Sequence, residues 1–280
     1  MNILIAGCGY VGSELARLLL SDGHSVWGMR RVPQGLPPDV MPIAADLSKP
    51  ASLAGLPPGL DAVVYAAAAG GFDEARYVAA YVEGPANLLT ALRSQGQHPR
   101  RFLFASSTGV YAQLSGEWVD EDSPAEPSHF SGVVLLRGEQ TVLKGPFPST
   151  VVRFAGIYGP GRTRMIESVR NGTATVSSTP TFVNHIHRDD CAGALRHLLM
   201  LQEPAPLYIG VDNEPVERGD MFRWLARRLG VPEPGGSGEP DSESVRAMRS
   251  NKRCSNARLR ATGYEFRYPS FREGYEALLY

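Results

Sequence analysis

The first dozen residues constrain this chain most. Ile3 to Ala6 is a short apolar run that reads as a buried strand, and it breaks on Gly7-Cys8-Gly9-Tyr10-Val11-Gly12. Apolar residues then recur at helical spacing from Val11 to Ser21. A strand that enters a glycine turn and leaves it as a helix offers free N–H groups and partial positive charge, which suit a pyrophosphate. Gly7 permits the tight turn, Gly9 lets the backbone approach phosphates, and Gly12 lets the helix pack close on the strand. Tyr10 and Val11 carry the first helical N–H groups. The context points to dinucleotide binding; a glycine turn that only packs is the alternative.

The rest of the first half repeats strand and helix. Ser25 to Met29 reads as a second strand, ending in Arg30-Arg31. An acidic residue at that strand end would bond an adenosine 2′-hydroxyl, whereas arginines favour a 2′-phosphate, so the pair argues for NADP, with NAD possible. Met41 to Ala45 is a third strand, ending at Asp46-Leu47. Asp61 to Ala67 is a near-continuous apolar run, as expected of a parallel strand buried on both faces. Ala66, Ala67 and Ala68 open a stretch of small residues that lets a cofactor lie against backbone. Asp73 to Ser94 has helical spacing, with Leu88, Leu89 and Leu92 on one stripe; Pro85 predicts a kink or break. Arg101 to Ala105 is a fifth strand running into Ser106-Ser107-Thr108, Phe130 to Leu143 a helix, and Thr150 to Phe154 a sixth strand.

This alternation predicts an α/β fold, a doubly wound parallel sheet whose ligands sit beyond the strands' carboxyl ends. Residues 1–155 form the expected dinucleotide-binding domain. Residues 156–280 are expected to be mainly substrate-binding, with 182–201 returning to the first domain's core. There Phe182 to His187 and Leu207 to Val211 read as strands, and Arg188 to Leu201, Gly219 to Leu229 and Phe271 to Leu279 as helices. Pro232 to Pro240 reads as an exposed loop.

Composition narrows the partners. The 28 basic and 29 acidic residues give a net charge of −1, which favours neither nucleic acid nor an anionic membrane. A small-molecule substrate is the partner expected. Cys8, Cys191 and Cys254 are odd in number and widely spaced, so no disulfide framework or metal spacing follows, and a reducing cytoplasm is the natural compartment. No apolar run reaches membrane-spanning length, and Met1 leads directly into the first strand, leaving no room for a signal peptide.

Several segments in order resemble an extended short-chain dehydrogenase/reductase of the NAD-dependent epimerase/dehydratase type, which has a Rossmann-like sheet. Ala6 to Gly12 is similar to the family's glycine turn, and Asp46-Leu47 to its adenine-contacting aspartate. Phe104-Ala-Ser-Ser-Thr-Gly-Val-Tyr111 resembles its SSxxVYG segment, which puts the active-site hydroxyl on Ser107. Arg153 to Gly161 resembles its RxxxxYGPG segment, with Tyr158 bordering the cofactor. Phe182 to Asp190 resembles its FxHVxD segment beside the substrate cleft, and Asn251 to Leu259 and Gly263 to Ser270 resemble its substrate-subdomain ending. The resemblance implies a homodimer through helices near Asp73–Ser94 and Phe130–Leu143.

One departure is chemical. The family pairs a tyrosine with a lysine four residues on, the lysine tuning the tyrosine that exchanges a proton with substrate. The segment around Gly132 and Glu139 puts Ser131 and Leu135 at those two positions, and no Tyr-xxx-Lys occurs anywhere in the chain. The family's helix asparagine is Tyr81. The chain resembles the atypical members of the superfamily.

Candidate catalytic residues are therefore Ser107 and Tyr81. Ser106 joins the cofactor contacts, and Thr108, His129, Arg162 and His185 are candidates for substrate. Arg162 and Arg164 follow the Gly-Pro-Gly turn and would clamp an anionic group. His185 and His187 lie one residue apart, on one face of a strand. Asp189 and Asp190 beside them read as helix-capping groups, so no metal site is expected. Three functions remain open: an NADP-dependent oxidoreductase with a non-standard proton donor, a dinucleotide-binding sensor or scaffold without turnover, and a nucleotide-sugar epimerase.

Overall fold

A computed structural model describes residues 1–236 and 250–279. The strands are β1 Asn2–Ala6, β2 Ser25–Arg30, β3 Met41–Ala44, β4 Ala62–Tyr65, β5 Arg101–Ser107, β6 Glu117–Val119, β7 Ser149–Phe154, β8 Gly156–Tyr158, β9 Phe182–Val183, β10 His185–His187, β11 Leu207–Gly210, β12 Val216–Glu217 and β13 Lys252–Cys254. Seven of them form one parallel sheet in the order β11-β7-β5-β4-β1-β2-β3. The principal helices are α1 Tyr10–Ser21, α2 Glu74–Val78, α3 Gly84–Ser94, α4 Phe130–Leu143, α5 Arg164–Arg170, α6 Arg188–Met200 and α7 Arg218–Leu229.

The two-residue period of a strand divides the core. Ile3, Ile5, Val64, Leu103 and Val152 face α1 and α6, meeting Leu15, Leu19, Leu195 and Leu198. Leu4, Val63, Tyr65, Phe102 and Phe104 face the other way, onto Leu88 and Leu92 of α3 and Val142 of α4. Both faces are covered, hence the nearly unbroken apolar runs. The order reverses at β1, between β2 and β4, which places a crevice at the carboxyl edge there.

Three expectations are corrected. The sheet does not end near residue 155: β11 pairs with β7 from Leu207↔Val151 to Gly210↔Phe154. Phe182 to His187 is not one strand. β9 pairs antiparallel with β12, β10 pairs parallel with β8, and Asn184 breaks the run between them. The Asn184 side chain bonds β13 instead, donating to the Lys252 carbonyl at 2.9 Å and accepting from the Cys254 N–H at 2.7 Å. The terminal helix spans Phe271–Glu276, closed at its start by a Ser270–Glu273 capping box.

The break expected at Pro85 takes the form of a π turn, Ala79–Glu83, between α2 and α3. Pro85 has no N–H to donate. The Gly84 N–H bonds to Ala79, five residues back, and the Ala80 carbonyl accepts the Tyr65 hydroxyl. Only a glycine fits at 84, because a Cβ would strike that hydroxyl.

Residues 237–249 and Tyr280, which include part of the expected Pro232–Pro240 loop, lie outside the described residues. Among the described residues no helix is long and apolar enough to cross a membrane.

Candidate functional site

The crevice begins at the glycine turn. The N–H groups of Gly7 and Cys8 both bond the Met29 carbonyl, tying the turn to the end of β2. Gly7 has φ +90°, and a Cβ there would collide with the Ala67 backbone, so the loops after β1 and β4 touch. At Gly12 a Cβ would come within 2.8 Å of the Gly7 carbonyl, which requires the close helix-strand contact. Gly9 is exposed, and a Cβ there would meet nothing nearer than 3.9 Å. Gly9 is the N-cap of α1, with no side chain capping it and no acidic residue in the first turn. The N–H groups led by Tyr10 and Val11 thus face open space with no competing anion, which fits a dinucleotide pyrophosphate. Cys8 is buried under the turn, and burial pushes its thiol pKa up.

Arg30 and Arg31 stand at the carboxyl end of β2, and among the described residues no carboxylate is within ion-pair distance of either. Asp46 accepts the Ser48 hydroxyl at 2.8 Å and its N–H at 3.1 Å, which holds its carboxyl below the usual range. The Leu47 carbonyl accepts from Asn87 at 2.9 Å, fixing that loop to α3. Ala66, Ala67 and Ala68 follow β4 at the edge of the same crevice.

β5 carries two serines to opposite faces. Ser106 turns inward and donates to Glu139 of α4 at 2.6 Å. Glu139 also takes the Arg153 guanidinium in a forked pair, at 2.6 Å from Nη2 and 3.0 Å from Nε. Both side chains are buried, and the guanidinium lies 4.8 Å from the Tyr111 ring centre. The Ser106 side chain thus anchors β5 to α4. Ser107 is half-buried; its Oγ accepts the Gly109 N–H at 3.1 Å, leaving its own proton free to donate. Thr108 is buried and its hydroxyl bonds the Cys254 thiol.

Helix α4 brings Ser131 to this edge. A Cβ on Gly132 would come within 2.6 Å of the Gly109 carbonyl, so the start of α4 lies directly on the turn that binds Ser107. His129 is the N-cap: its Nδ1 accepts the Ser131 N–H at 3.3 Å and lies 2.9 Å from the Ser131 Oγ. Its ring stacks on Phe72, centres 5.5 Å apart, and touches Phe130. Leu135 is buried among Val110, Tyr111, Ile209, Val211 and Cys254. Tyr81, half-buried on the π turn, packs beside that cluster with its ring 5.2 Å from Tyr77.

The remaining candidates lie elsewhere. Tyr158 is buried against Tyr275, His185 and His187, with its hydroxyl against Gly274, and burial pushes its phenol pKa far up. His185 is enclosed by Tyr158, Phe271 and Tyr275, and burial lowers its pKa to about 4. His187 does share its face, also lowered to about 4 by burial. Arg162 is exposed and stacks 4.0 Å from the Tyr10 ring centre, at the start of α1. Asp190 does not cap α6; its carboxylate accepts from the Arg267 and Tyr268 N–H groups and the Tyr264 hydroxyl, and His187 Nδ1 takes the capping position. Among the described residues no cluster of three or more ligating side chains could hold a metal. A hollow of about 470 Å³, lined by Phe182, Glu214, Asp220, Trp224 and Arg272 among others, shares no residue with the crevice.

The seven-strand order and open glycine turn agree with the model of the NAD dependent epimerase/dehydratase family, which matches residues 3–205. The chain belongs to that family. A structure from Methylobacillus flagellatus, described as a NAD-dependent epimerase/dehydratase, is 41% identical over 99% of this chain and 97% of its own, with a TM-score of 0.83. D-erythronate dehydrogenase of Cupriavidus necator is 35% identical over 161 residues, 50% of this chain; the match spans 48% of that enzyme's length. Human epimerase family protein SDR39U1, solved with NADPH, shares the fold at 22% identity, covering 99% of this chain and 98% of its own, with a TM-score of 0.81.

Proposed function

We propose that the chain is a nicotinamide-dinucleotide-dependent oxidoreductase, using NADP(H) in preference to NAD(H), that interconverts a carbinol and a carbonyl on a small sugar-like substrate. The observation carrying this is the uncapped, acid-free start of α1 at Gly9, with the Ala67 backbone pressed on Gly7 and Ser107 further along the same sheet edge. Gly7, Gly9, Tyr10, Val11 and Gly12 would hold the pyrophosphate, Asp46 and Leu47 the adenine side, and Ala66 to Ala68 the floor. Arg30 and Arg31 would meet a 2′-phosphate. The cofactor supplies a hydride acceptor or donor; Ser107 donates a hydrogen bond to the substrate oxygen. The likeness to a D-erythronate dehydrogenase and to a protein solved with NADPH supports this reading.

A sensor without turnover is the second reading, favoured by the apolar burial of Leu135. An epimerase proper ranks below both, because that chemistry leans on the missing tyrosine base. Exposed Val133 and Leu143 on α4 support a homodimer through that helix.

The test is a titration of NADPH and NADH, followed by a panel of hydroxy acids, aldoses and nucleotide sugars headed by D-erythronate, read by nicotinamide absorbance. Tight binding with turnover of a panel member supports the oxidoreductase; tight binding with none supports the sensor. Arg30→Ala should shift the NADP/NAD affinity ratio toward NAD, and an unchanged ratio counts against the NADP preference.

A further inference from the structure

The proton route of such a reaction has no tyrosine-lysine pair to use. We propose that Ser131 is the catalytic proton-transfer group, with His129 acting through it; this rests on the oxidoreductase reading above. The two side chains form a hydroxyl–imidazole pair, Oγ to Nδ1 2.9 Å, at the carboxyl edge of the sheet. That distance lies within the range required of a working donor and base.

The ring's orientation is set by its surroundings. Nδ1 also accepts the Ser131 N–H, so in the neutral ring this nitrogen is the acceptor and the proton resides on Nε2. Stacking on Phe72 and contact with Phe130 hold the imidazole in plane. The Ser131 hydroxyl thus points its proton at a base, and its lone pairs are left to receive another.

The pair lies close to Ser107. Ser107 accepts the Gly109 N–H, and the Gly109 carbonyl leaves no room for a Cβ on Gly132, the neighbour of Ser131. Two hydroxyls with complementary roles therefore flank one small turn. Ser107 has a proton to donate, and Ser131 is backed by a base.

A serine alone is too weakly acidic or basic for the task; the imidazole supplies what it lacks. In the oxidising direction the carbinol O–H proton would pass to Ser131 Oγ, and a bound oxidised nicotinamide would supply the acceptor for the C–H hydride. The serine's own proton passes to His129 Nδ1, the C=O bond forms, and the imidazolium releases its proton to water. The reverse sequence, with a reduced nicotinamide, protonates the new alkoxide. One hydride and one proton move in each direction.

Helix capping alone does not call for histidine. Serine, threonine, aspartate and asparagine are the favoured caps. That difference makes the test possible: His129→Asn keeps an acceptor for the Ser131 N–H but cannot relay a proton.

Wild type, Ser131→Ala, Ser131→Thr and His129→Asn are assayed with NADP+ or NADPH on the panel headed by D-erythronate, alongside NADPH affinity and melting temperature. Ser131→Ala and His129→Asn should lower kcat by about 10²- to 10⁴-fold, with KM and NADPH affinity within about twofold. Ser131→Thr should restore most of the rate. Wild-type turnover that survives both disabling variants within about threefold of its rate overturns the proton route and leaves the oxidoreductase standing. Loss of kcat that tracks loss of NADPH affinity or melting temperature also overturns the route, because it marks a structural role. No turnover by wild type on any panel member overturns the oxidoreductase reading and this one with it.

Discussion

Removing one partner of the Glu139–Arg153 pair should cost more stability than any other single polar change in the first 155 residues. Both side chains are almost fully enclosed, at 3% and 6% exposure. In Glu139→Gln the guanidinium keeps its charge but loses its counter-ion, and Ser106 loses a charged acceptor. In Arg153→Met a carboxylate is left with only the Ser106 hydroxyl. Breaking a buried pair in this way costs about 3–5 kcal/mol, because the partner left behind stays desolvated. For a chain of this size each kcal/mol moves the melting temperature by roughly 2–4 °C, so either single variant should melt on the order of 10 °C lower. The double variant Glu139→Gln/Arg153→Met removes both charges, and its cost should fall short of the summed single costs by about 1–3 kcal/mol. Calorimetry and urea unfolding, both without cofactor, measure the cycle. Strict additivity, or single costs under about 1 kcal/mol, would refute the buried network as the anchor of β5 on α4.

Gly7→Ala should abolish tight NADPH binding, since φ +90° and the Ala67 backbone both exclude a Cβ; fluorescence titration should show at least about a tenfold loss, and retained affinity would refute the close-contact argument. His185 and His187 have folded pKa values near 4, below the ordinary 6.5, so the unfolded chain binds more protons between those limits. Their stabilisation is complete above pH 6.5 and is lost as pH falls toward 4, by at most about 1.4 kcal/mol per unit for each histidine. Asp190 and Asp212, raised by burial, oppose this slope, so the test compares stability-versus-pH slopes of wild type and His185→Gln; equal slopes would sink the prediction. Tyr158→Phe removes a buried hydroxyl that has no partner, and should leave stability unchanged or raise it. A loss above about 1 kcal/mol would reveal a partner for that oxygen.

Sequence was most informative where one residue type answers to one local demand. Buried parallel strands must be apolar on both faces, so β1, β4, β5 and β7 were legible within a residue or two. The glycine turn was legible because φ and close approach exclude other residues at Gly7 and Gly12. Side-chain direction was not legible. Ser106, Ser107 and Thr108 are adjacent in sequence, yet one anchors α4, one accepts the Gly109 N–H and one bonds Cys254. The partners of residues that bond remote segments were not legible. Asp190 bonds groups more than seventy residues later, and Arg162 reaches back to Tyr10. The run from Phe182 to His187 looked continuous because Phe182, Val183 and Ile186 span it, but its two halves pair with different strands. Glu139 and Arg153 each stood in a segment resembling the family's, although nothing local announced that they meet.

Helix α4 separates what the fold needs from what the chemistry needs. Gly132 and Gly138 lie where Gly109 and Tyr81 backbone leaves no room for a Cβ, and Glu139 is fixed by Arg153 and Ser106. These positions answer to packing and to a buried charge, and they resemble the family's pattern. At Ser131 and Leu135 the pattern departs. Leu135 has turned its site into apolar core against Val110 and Tyr111, so a lysine there would have to bury its ammonium among apolar side chains, at a cost of several kcal/mol. A second cation cannot simply be restored at that point. Any base serving the crevice must then enter from the start of the helix, where the chain is still at the surface and the cap position admits a polar ring. His129 occupies that position, already bonded to the hydroxyl of Ser131.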